Sequence, residues 1–255
     1  MLIDTHAHLY HKEFEKDIEE VLQRCAANGV KRVYLPAIDT QSHERMHRLL
    51  LKSGLQEVEL QAMMGVHPCS INEHYLAELD TAYAYLNNGS YCAVGEIGLD
   101  FYWDVTYKEQ QLAAFDVQIN WATERKLPIV IHSRNSTQEC INTVMPYVGK
   151  LTGIFHCFSG TYEQAKQIMD LGFYLGIGGV ATYKNSNLIE ILQKTGLSRV
   201  VLETDAPYLS PMPFRGKRNE SSYIRNICDH LSLKLELDTA EIERITTDNA
   251  LAAFS

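Results

Sequence analysis

Eight short runs of β-branched and apolar residues alternate along this chain with stretches of helical spacing, and that alternation limits the fold more than any other feature. The runs are Leu2–Asp4, Arg32–Ala37, Glu59–Gly65, Cys92–Glu96, Pro128–His132, Gly153–His156, Phe173–Ile177 and Val200–Thr204. Between them, sets such as Phe14, Ile18, Val21, Leu22 and Cys25, or Leu112, Phe115, Ile119 and Ala122, fall on one helical face. Glycines close several of these stretches, as at Gly29, Gly54, Gly89, Gly172 and Gly196. Eight strands alternating with helices in 255 residues predict an α/β fold, a single closed parallel (β/α)8 TIM barrel with its active face at the C-terminal strand ends. A doubly wound open sheet is the rival. It normally carries a Gly-rich phosphate loop after the first strand, where this chain has Thr5-His6-Ala7-His8. No repeat, linker or low-complexity tract divides the chain, so residues 1–255 read as one domain. The longest irregular piece, Leu209–Ser222, carries a basic cluster.

Charge narrows the function. Lys plus Arg number 23 and Asp plus Glu 32, a formal net charge of −9, which argues against holding nucleic acid by overall charge. A local basic strip, or bound cations that reverse the sign inside a cleft, stays open. The six cysteines (Cys25, Cys69, Cys92, Cys140, Cys157 and Cys228) form no C-x-x-C pair and read as reduced thiols of a cytoplasmic protein. The apolar stretch Leu171–Tyr183 is too short and too glycine-rich to span a bilayer. No signal-like segment precedes Ile3-Asp4-Thr5-His6, so the N-terminus is expected to belong to the fold. No membrane role or obligate protein partner is indicated.

The chemistry-bearing residues gather at one end of the expected barrel. His6 and His8 lie two apart after the first strand, so alternation points both the same way. Glu96, His132 and His156 end strands four, five and six, and Asp205 lies just beyond strand eight. Five of eight strands thus deliver a metal-competent side chain to the active face. Four imidazoles and two carboxylates can hold two divalent ions, about three protein ligands each, with positions left for water and substrate.

The ordered series Ile3-Asp4-Thr5-His6-Ala7-His8, Gly65-Val66-His67-Pro68, Val94-Gly95-Glu96-Ile97-Gly98-Leu99-Asp100, Ile131-His132-Ser133-Arg134, His156-Cys157-Phe158-Ser159-Gly160, Leu202-Glu203-Thr204-Asp205-Ala206-Pro207-Tyr208 and Arg215-Gly216-Lys217-Arg218-Asn219-Glu220 covers nearly the whole chain. It resembles the TatD family of metal-dependent hydrolases, many of whose members are described as DNases, within the wider amidohydrolase-like barrels. The resemblance implies that His6, His8 and Asp205 hold one ion and His132 and His156 the other, with Glu96 bridging them. It further implies a nuclease acting on single-stranded DNA from a 3' end. Two positions depart from the family pattern: Asn135 follows Arg134 where the family often has Asp, and Ser221 follows Asn219-Glu220 where it often has Pro.

Ordinary metal chemistry then assigns roles. Two ions, which imidazole and carboxylate ligands allow to be Zn, Mn or Mg, acidify a water and polarise a phosphoryl group. Asp205 can bind one ion and also orient or deprotonate that water. His67 either contacts phosphate or a leaving group, or simply caps the segment before Pro68. Glu203 shares a strand face with Asp205 and either hydrogen-bonds a ligating histidine or pairs with a basic side chain. Arg215, Lys217 and Arg218 form the densest positive cluster, suited to phosphate over the mouth or to plain solvation. Tyr208 and the Phe101-Tyr102-Trp103 loop can stack an unpaired base or pack the rim.

Two features are set aside. His43-Glu44-Arg45-Met46-His47 matches the H-E-x-x-H zinc-protease signature, but its histidines lie at the edge of an apolar stripe on a helix expected outside the barrel. Exchanging both for Gln is expected to leave metal and rate intact with a small stability change. Cys157, beside His156, is expected to be a packed thiol. The leading reading is a two-metal phosphodiesterase of the DNase type. A carbonyl hydrolase acting on an amide, lactone or aminoacyl ester is the alternative on the same site, because barrel metal sites support many chemistries. A non-catalytic metal-binding partner ranks last.

Overall fold

The computed structural model describes residues 1–255. Its strands are β1 (Leu2–Asp4), β2 (Val30–Leu35), β3 (Glu59–Ala62), β4 (Val94–Asp100), β5 (Ile129–Arg134), β6 (Gly153–Phe155), β7 (Tyr174–Ile177) and β8 (Val200–Leu202). Helices α1 (Ile18–Ala27), α2 (Thr40–Leu50), α3 (Tyr75–Asn88), α4 (Lys108–Arg125), α5 (Thr137–Val144), α6 (Tyr162–Asp170) and α7 (Leu188–Thr195) connect successive strands. Helices α8 (Ile224–Leu235) and α9 (Thr239–Ala253) follow β8. Every ladder is parallel, and the strands run in sequence order as β1-β2-β3 and β4-β5-β6-β7-β8.

Short seams join the two arcs. Met64 pairs with Val94, with Met64 N–H donating to Ala93 O (3.2 Å) and Gly95 N–H to Met64 O (3.0 Å). Ala7 pairs with Ala206, flanked by Thr5 N–H to Leu202 O (3.0 Å) and His8 N–H to Ala206 O (2.7 Å). These bonds close the (β/α)8 barrel expected from the alternation.

Several strand ends differ from the sequence pattern, and one difference sets the active face. Glu96 does not end its strand: β4 continues through Asp100, paired with β5 up to Asp100 opposite Arg134. The register shifts between Gly95 and Ile97, leaving Glu96 as an extra residue in a bulge, and a bulge re-aims the side chain it carries. Gly98 permits the continuation, because a Cβ there would lie 2.2 Å from the His132 carbonyl oxygen and its φ is +135°. His132 likewise sits inside β5, two residues before its end. His67, Glu203 and His156 lie beyond the ordered ends of β3, β8 and β6.

Apolar packing falls into two bodies. The larger lies between barrel and helices, with Phe14, Leu22, Phe115, Phe155 and Phe173 fully buried. The smaller fills the barrel interior with Ile3, Met63, Val130, Ile154 and Val201, and Ala250 and Ala253 of α9 cover it from below. Phe254 completes this plug by stacking on Tyr34 at 3.8 Å between ring centroids. No helix is long and apolar enough to cross a membrane, and all six cysteines are free thiols. Because the plug lies at the end away from the histidines, Phe254→Ala should lower stability by about 1–3 kcal/mol, less than for a fully buried Phe. Denaturant melts check the loss, and elemental analysis should show unchanged metal content.

Candidate metal centre

Glu96 stands at the middle of the mouth, 2% exposed, with imidazoles on both sides of its carboxylate. Its Oε2 lies 3.1 Å from His6 Nε2 and 3.7 Å from His8 Nε2. Its Oε1 lies 2.9 Å from His132 Nδ1 and 3.2 Å from His156 Nε2. Asp205 Oδ1 closes the first group, 3.5 Å from His8 Nε2 and 3.8 Å from His6 Nε2. The rings of His6 and His156 stack at 3.7 Å, so the two groups share a wall. Burial opposes ionisation of Glu96, but His156, His6, His67 and the hydrogen bond from His132 outweigh it and hold the carboxyl well below its usual range. Asp205 behaves alike: burial raises it, while the His8 hydrogen bond and the charges of His156 and His6 bring it below its ordinary value. Burial also works against the His156 imidazolium, yet Glu96 and Glu203 lift it well above the usual value. His6 goes the other way, lowered first by burial and then by His156.

Partners on the far nitrogens decide which ring atoms face the centre. His8 Nδ1–H donates to Tyr10 Oη (2.9 Å), because the Tyr10 hydroxyl gives its own proton to Pro36 O (2.5 Å). A neutral His8 therefore presents a lone pair at Nε2, 3.3 Å from His6 Nε2. His156 Nδ1 meets Glu203 Oε1 (3.1 Å) and His132 Nε2 meets Asp100 Oδ2 (2.9 Å), the carboxylate–histidine arrangement that orients metal-binding rings. With neutral rings, inward lone pairs would converge with two carboxylates, a donor set that a cation fits. Imidazole nitrogen with carboxylate oxygen suits first-row divalent ions. His67 differs. Its Nδ1 accepts from Cys69 N–H (3.0 Å), so a neutral ring carries its proton on Nε2. That Nε2–H points toward Glu96 Oε1 (3.4 Å), with His132 Nδ1 3.2 Å away. The capping role expected of His67 is carried by Nδ1, while Nε2 faces Glu96.

The profile of the TatD related DNase family matches residues 3–255. The chain belongs to the TatD family. It is 35% identical to the uncharacterized metal-dependent hydrolase YabD of Bacillus subtilis, covering 100% of this chain and 99% of that protein. It is 31% identical to the 3'-5' ssDNA/RNA exonuclease TatD of Salmonella typhimurium, covering 99% and 98%. The crystal structure of YjjV, a TatD homolog from Escherichia coli, superposes with a TM-score of 0.89 at 29% identity over 99% of this chain and 97% of that one. The protein is accordingly a metal-dependent hydrolase of this family.

Around this TatD-family centre the rim residues separate by their partners. Arg218 is committed to the fold: its guanidinium grips Asp17 in a bidentate pair (2.8 and 2.6 Å) and donates to Glu13 O (2.6 Å). Arg215 and Lys217 remain exposed, Arg215 lying over the Tyr183 ring at 4.6 Å. Tyr208 is exposed beside His8, ring centroids 6.2 Å apart. Trp103 and Tyr102 are exposed, with Arg134 over both rings, 3.8 Å from Tyr102 and 5.0 Å from Trp103, whereas Phe101 packs against the core. Asn135 takes a left-handed φ of 55°, which Asn tolerates. Glu220, ahead of Ser221, is held by Arg24 through two 2.7 Å bonds, which secures the basic loop.

Two supporting residues carried no assigned role in the sequence. Asp100 stands four residues from Glu96 on the strand that continues past it, and its Oδ1 also accepts from Tyr102 and Trp103 N–H. Asp4 is buried and accepts from Thr204 N–H (2.9 Å) and Thr204 Oγ1 (2.6 Å), tying β1 to the segment that carries Asp205. Burial pushes its carboxyl up to about 7, against these donors. Cys157 is no thiolate, since burial raises its thiol to about 12. The H-E-x-x-H histidines lie outside the centre. His47 Nε2 meets Tyr91 Oη (2.8 Å), while His43 is fully buried edge-on to Tyr85. That burial corrects the expectation that His43 sits at the edge of the apolar stripe.

Two outcomes follow from this geometry. Changing His43 and His47 together to Gln should leave metal content unchanged by elemental analysis, yet lower stability by about 1–3 kcal/mol because a buried ring is lost. Asp100→Asn should keep the fold and weaken metal retention by about 10- to 100-fold in a chelator competition, because His132 loses the group that orients it.

Proposed function

We propose that this chain is a two-metal phosphodiesterase that degrades single-stranded DNA from a 3' end, with residues 1–255 acting as one catalytic unit. The observation that carries the reading is the division of the Glu96 carboxylate, Oε2 toward His6 and His8 and Oε1 toward His132 and His156. Glu96 would stand between the two cations of such a site. His6, His8 and Asp205 would hold one ion and His132 and His156 the other, as Zn, Mn or Mg. When bound, such a pair acidifies water, polarises the phosphoryl oxygen and offsets charge on the leaving oxygen.

The chain's own groups do the rest. Asp205, at a left-handed φ of 57°, is aimed into the mouth by a backbone conformation that few non-glycine residues adopt. Its carboxylate orients the attacking water and accepts a proton from it. His67, lowered by burial and so neutral near pH 7, donates from Nε2 to a phosphoryl oxygen. Glu203 keeps His156 in the tautomer that faces the centre. Arg215 and Lys217 meet the substrate backbone, Tyr208 stacks a base beside His8, and Arg218 contributes by anchoring the loop. The relative named as a single-stranded DNA and RNA exonuclease supports this substrate class.

A product ladder on end-labelled single-stranded DNA, run beside lactones and aminoacyl esters, tests the bond cleaved. Turnover of the esters alone would favour a carbonyl hydrolase. Changing Arg215 and Lys217 together to Gln should raise KM for DNA and reduce the slope of log affinity against log salt by about 0.7 per lost phosphate contact. An unchanged KM and salt slope would remove the loop from substrate binding.

A further inference from the structure

A groove runs outward from the mouth between the segment after β1 and helix α2. Tyr10, His11, Phe14 and the carboxylate of Glu15 line one side, and Arg45, Arg48 and Lys52 the other. The Tyr10 side chain connects this groove with the metal centre, since it lines the groove and its hydroxyl accepts from His8 Nδ1. The register of α2 is fixed by a capping box between Asp39 and Ser42. From that start, Arg45 and Arg48 fall three apart on one face, and Lys52 follows just past the helix end at Leu50.

The three cations are not equivalent. Lys52 bonds Glu19, and Arg48 lies 3.5 Å from Glu44. Arg45 pairs with no carboxylate, and its Nε–H is buried without an acceptor. The guanidinium charge of Arg45 is therefore open to an anionic oxygen in the groove. The groove encloses about 180 Å³. Drug-sized ligands need roughly 300–1,000 Å³, so this space suits a phosphate group rather than a whole nucleotide. The rings of His11 and Tyr208, centroids 6.2 Å apart, stand between mouth and groove.

We propose that this groove holds a backbone phosphate of the substrate strand, away from the scissile bond, with Arg45 as its principal ligand. The proposal rests on the nuclease reading and extends it: the uncleaved strand leaves the mouth past Tyr208 and His11 and descends along α2. Arg45 is thereby a determinant of substrate length, because a dinucleotide bound at the centre ends before the groove.

The test is binding of a fluorescein-labelled octathymidylate to the metal-loaded chain, followed by anisotropy over a range of salt. Arg45→Gln should weaken binding about five- to tenfold and reduce the salt slope by about 0.7, the contribution of one phosphate contact on a single strand. Arg45→Lys should recover most of the loss, and a thymidine dinucleotide should compete equally well against both chains. Lys166→Gln, which removes a charge from α6 across the barrel, serves as the charge control and should change neither quantity. Arg45→Met keeps the buried stem and repeats the test if Arg45→Gln melts early. Equal affinity and slope in a folded Arg45 variant would overturn the groove, whether or not DNA is cut. Arg45-dependent binding without cleavage would uphold the groove as a phosphate site and overturn the nuclease reading. No binding by the native chain would overturn both.

Discussion

The buried carboxylate of Glu96 is the interaction on which the rest of the mouth depends. An ionised carboxyl removed from water costs several kcal/mol unless its charge is answered, and here the answer comes from imidazoles on three other strands. His6 follows β1, His132 belongs to β5 and His156 follows β6, so no local segment can assemble the set. The barrel must close first, and its closure is made by short seams at Met64–Val94 and Ala7–Ala206. Asp4 strengthens the second seam by bonding Thr204, which places His6, His8 and Asp205 around the same point. The energy that holds this arrangement comes from apolar packing elsewhere, outside the barrel and in its lower interior beneath the histidines.

Orientation is supplied by a ring of fixed partners. Tyr10, Asp100 and Glu203 each take the outward nitrogen of one imidazole and so determine what its inward nitrogen can do. His6 has no partner on Nδ1 and is held instead by stacking on His156. Gly176 makes room for the Glu203 carboxylate, since a Cβ there would lie 2.2 Å from its Oε2. These details distinguish His67 from the other imidazoles around Glu96, from which it stands 3.4 Å away. The backbone N–H of Cys69 occupies its Nδ1 and leaves a donor facing inward.

The electrostatics of the surface match a site that gathers anions locally. With a formal net charge of −9, long-range attraction of a polyanion is absent, and screening confines any attraction to about 10 Å at moderate salt. Cations at the rim matter only where no carboxylate already claims them. Arg218 and Arg24 are claimed by Asp17 and Glu220. Arg215, Lys217 and Arg45 are not, and they lie on loops and a helix that border the mouth. The result is a neutralised wall with a few open positive positions.

The alternation of eight apolar runs with helical spacing determined the barrel, and strand period placed His6 and His8 on one side, because both depend only on residues a few positions apart. The ordered motifs likewise carried the family and the six residues around the centre. Other features were decided by contacts between distant segments. Glu96 looked like the end of a strand, since the glycine and acid that follow break the apolar pattern. Only pairing with β5 shows the strand running on to Asp100 and setting that carboxylate against His132. Arg218 read as part of a phosphate strip, but folding brings Asp17, some two hundred positions away, against its guanidinium. His43 read as marginal on its helix, and the neighbouring helix α3 buries it under Tyr85. Periodicity is a short-range property that one segment can express. The partner of a long polar side chain is fixed only when remote strands and helices meet, and at this mouth those partners decide which atoms face the centre.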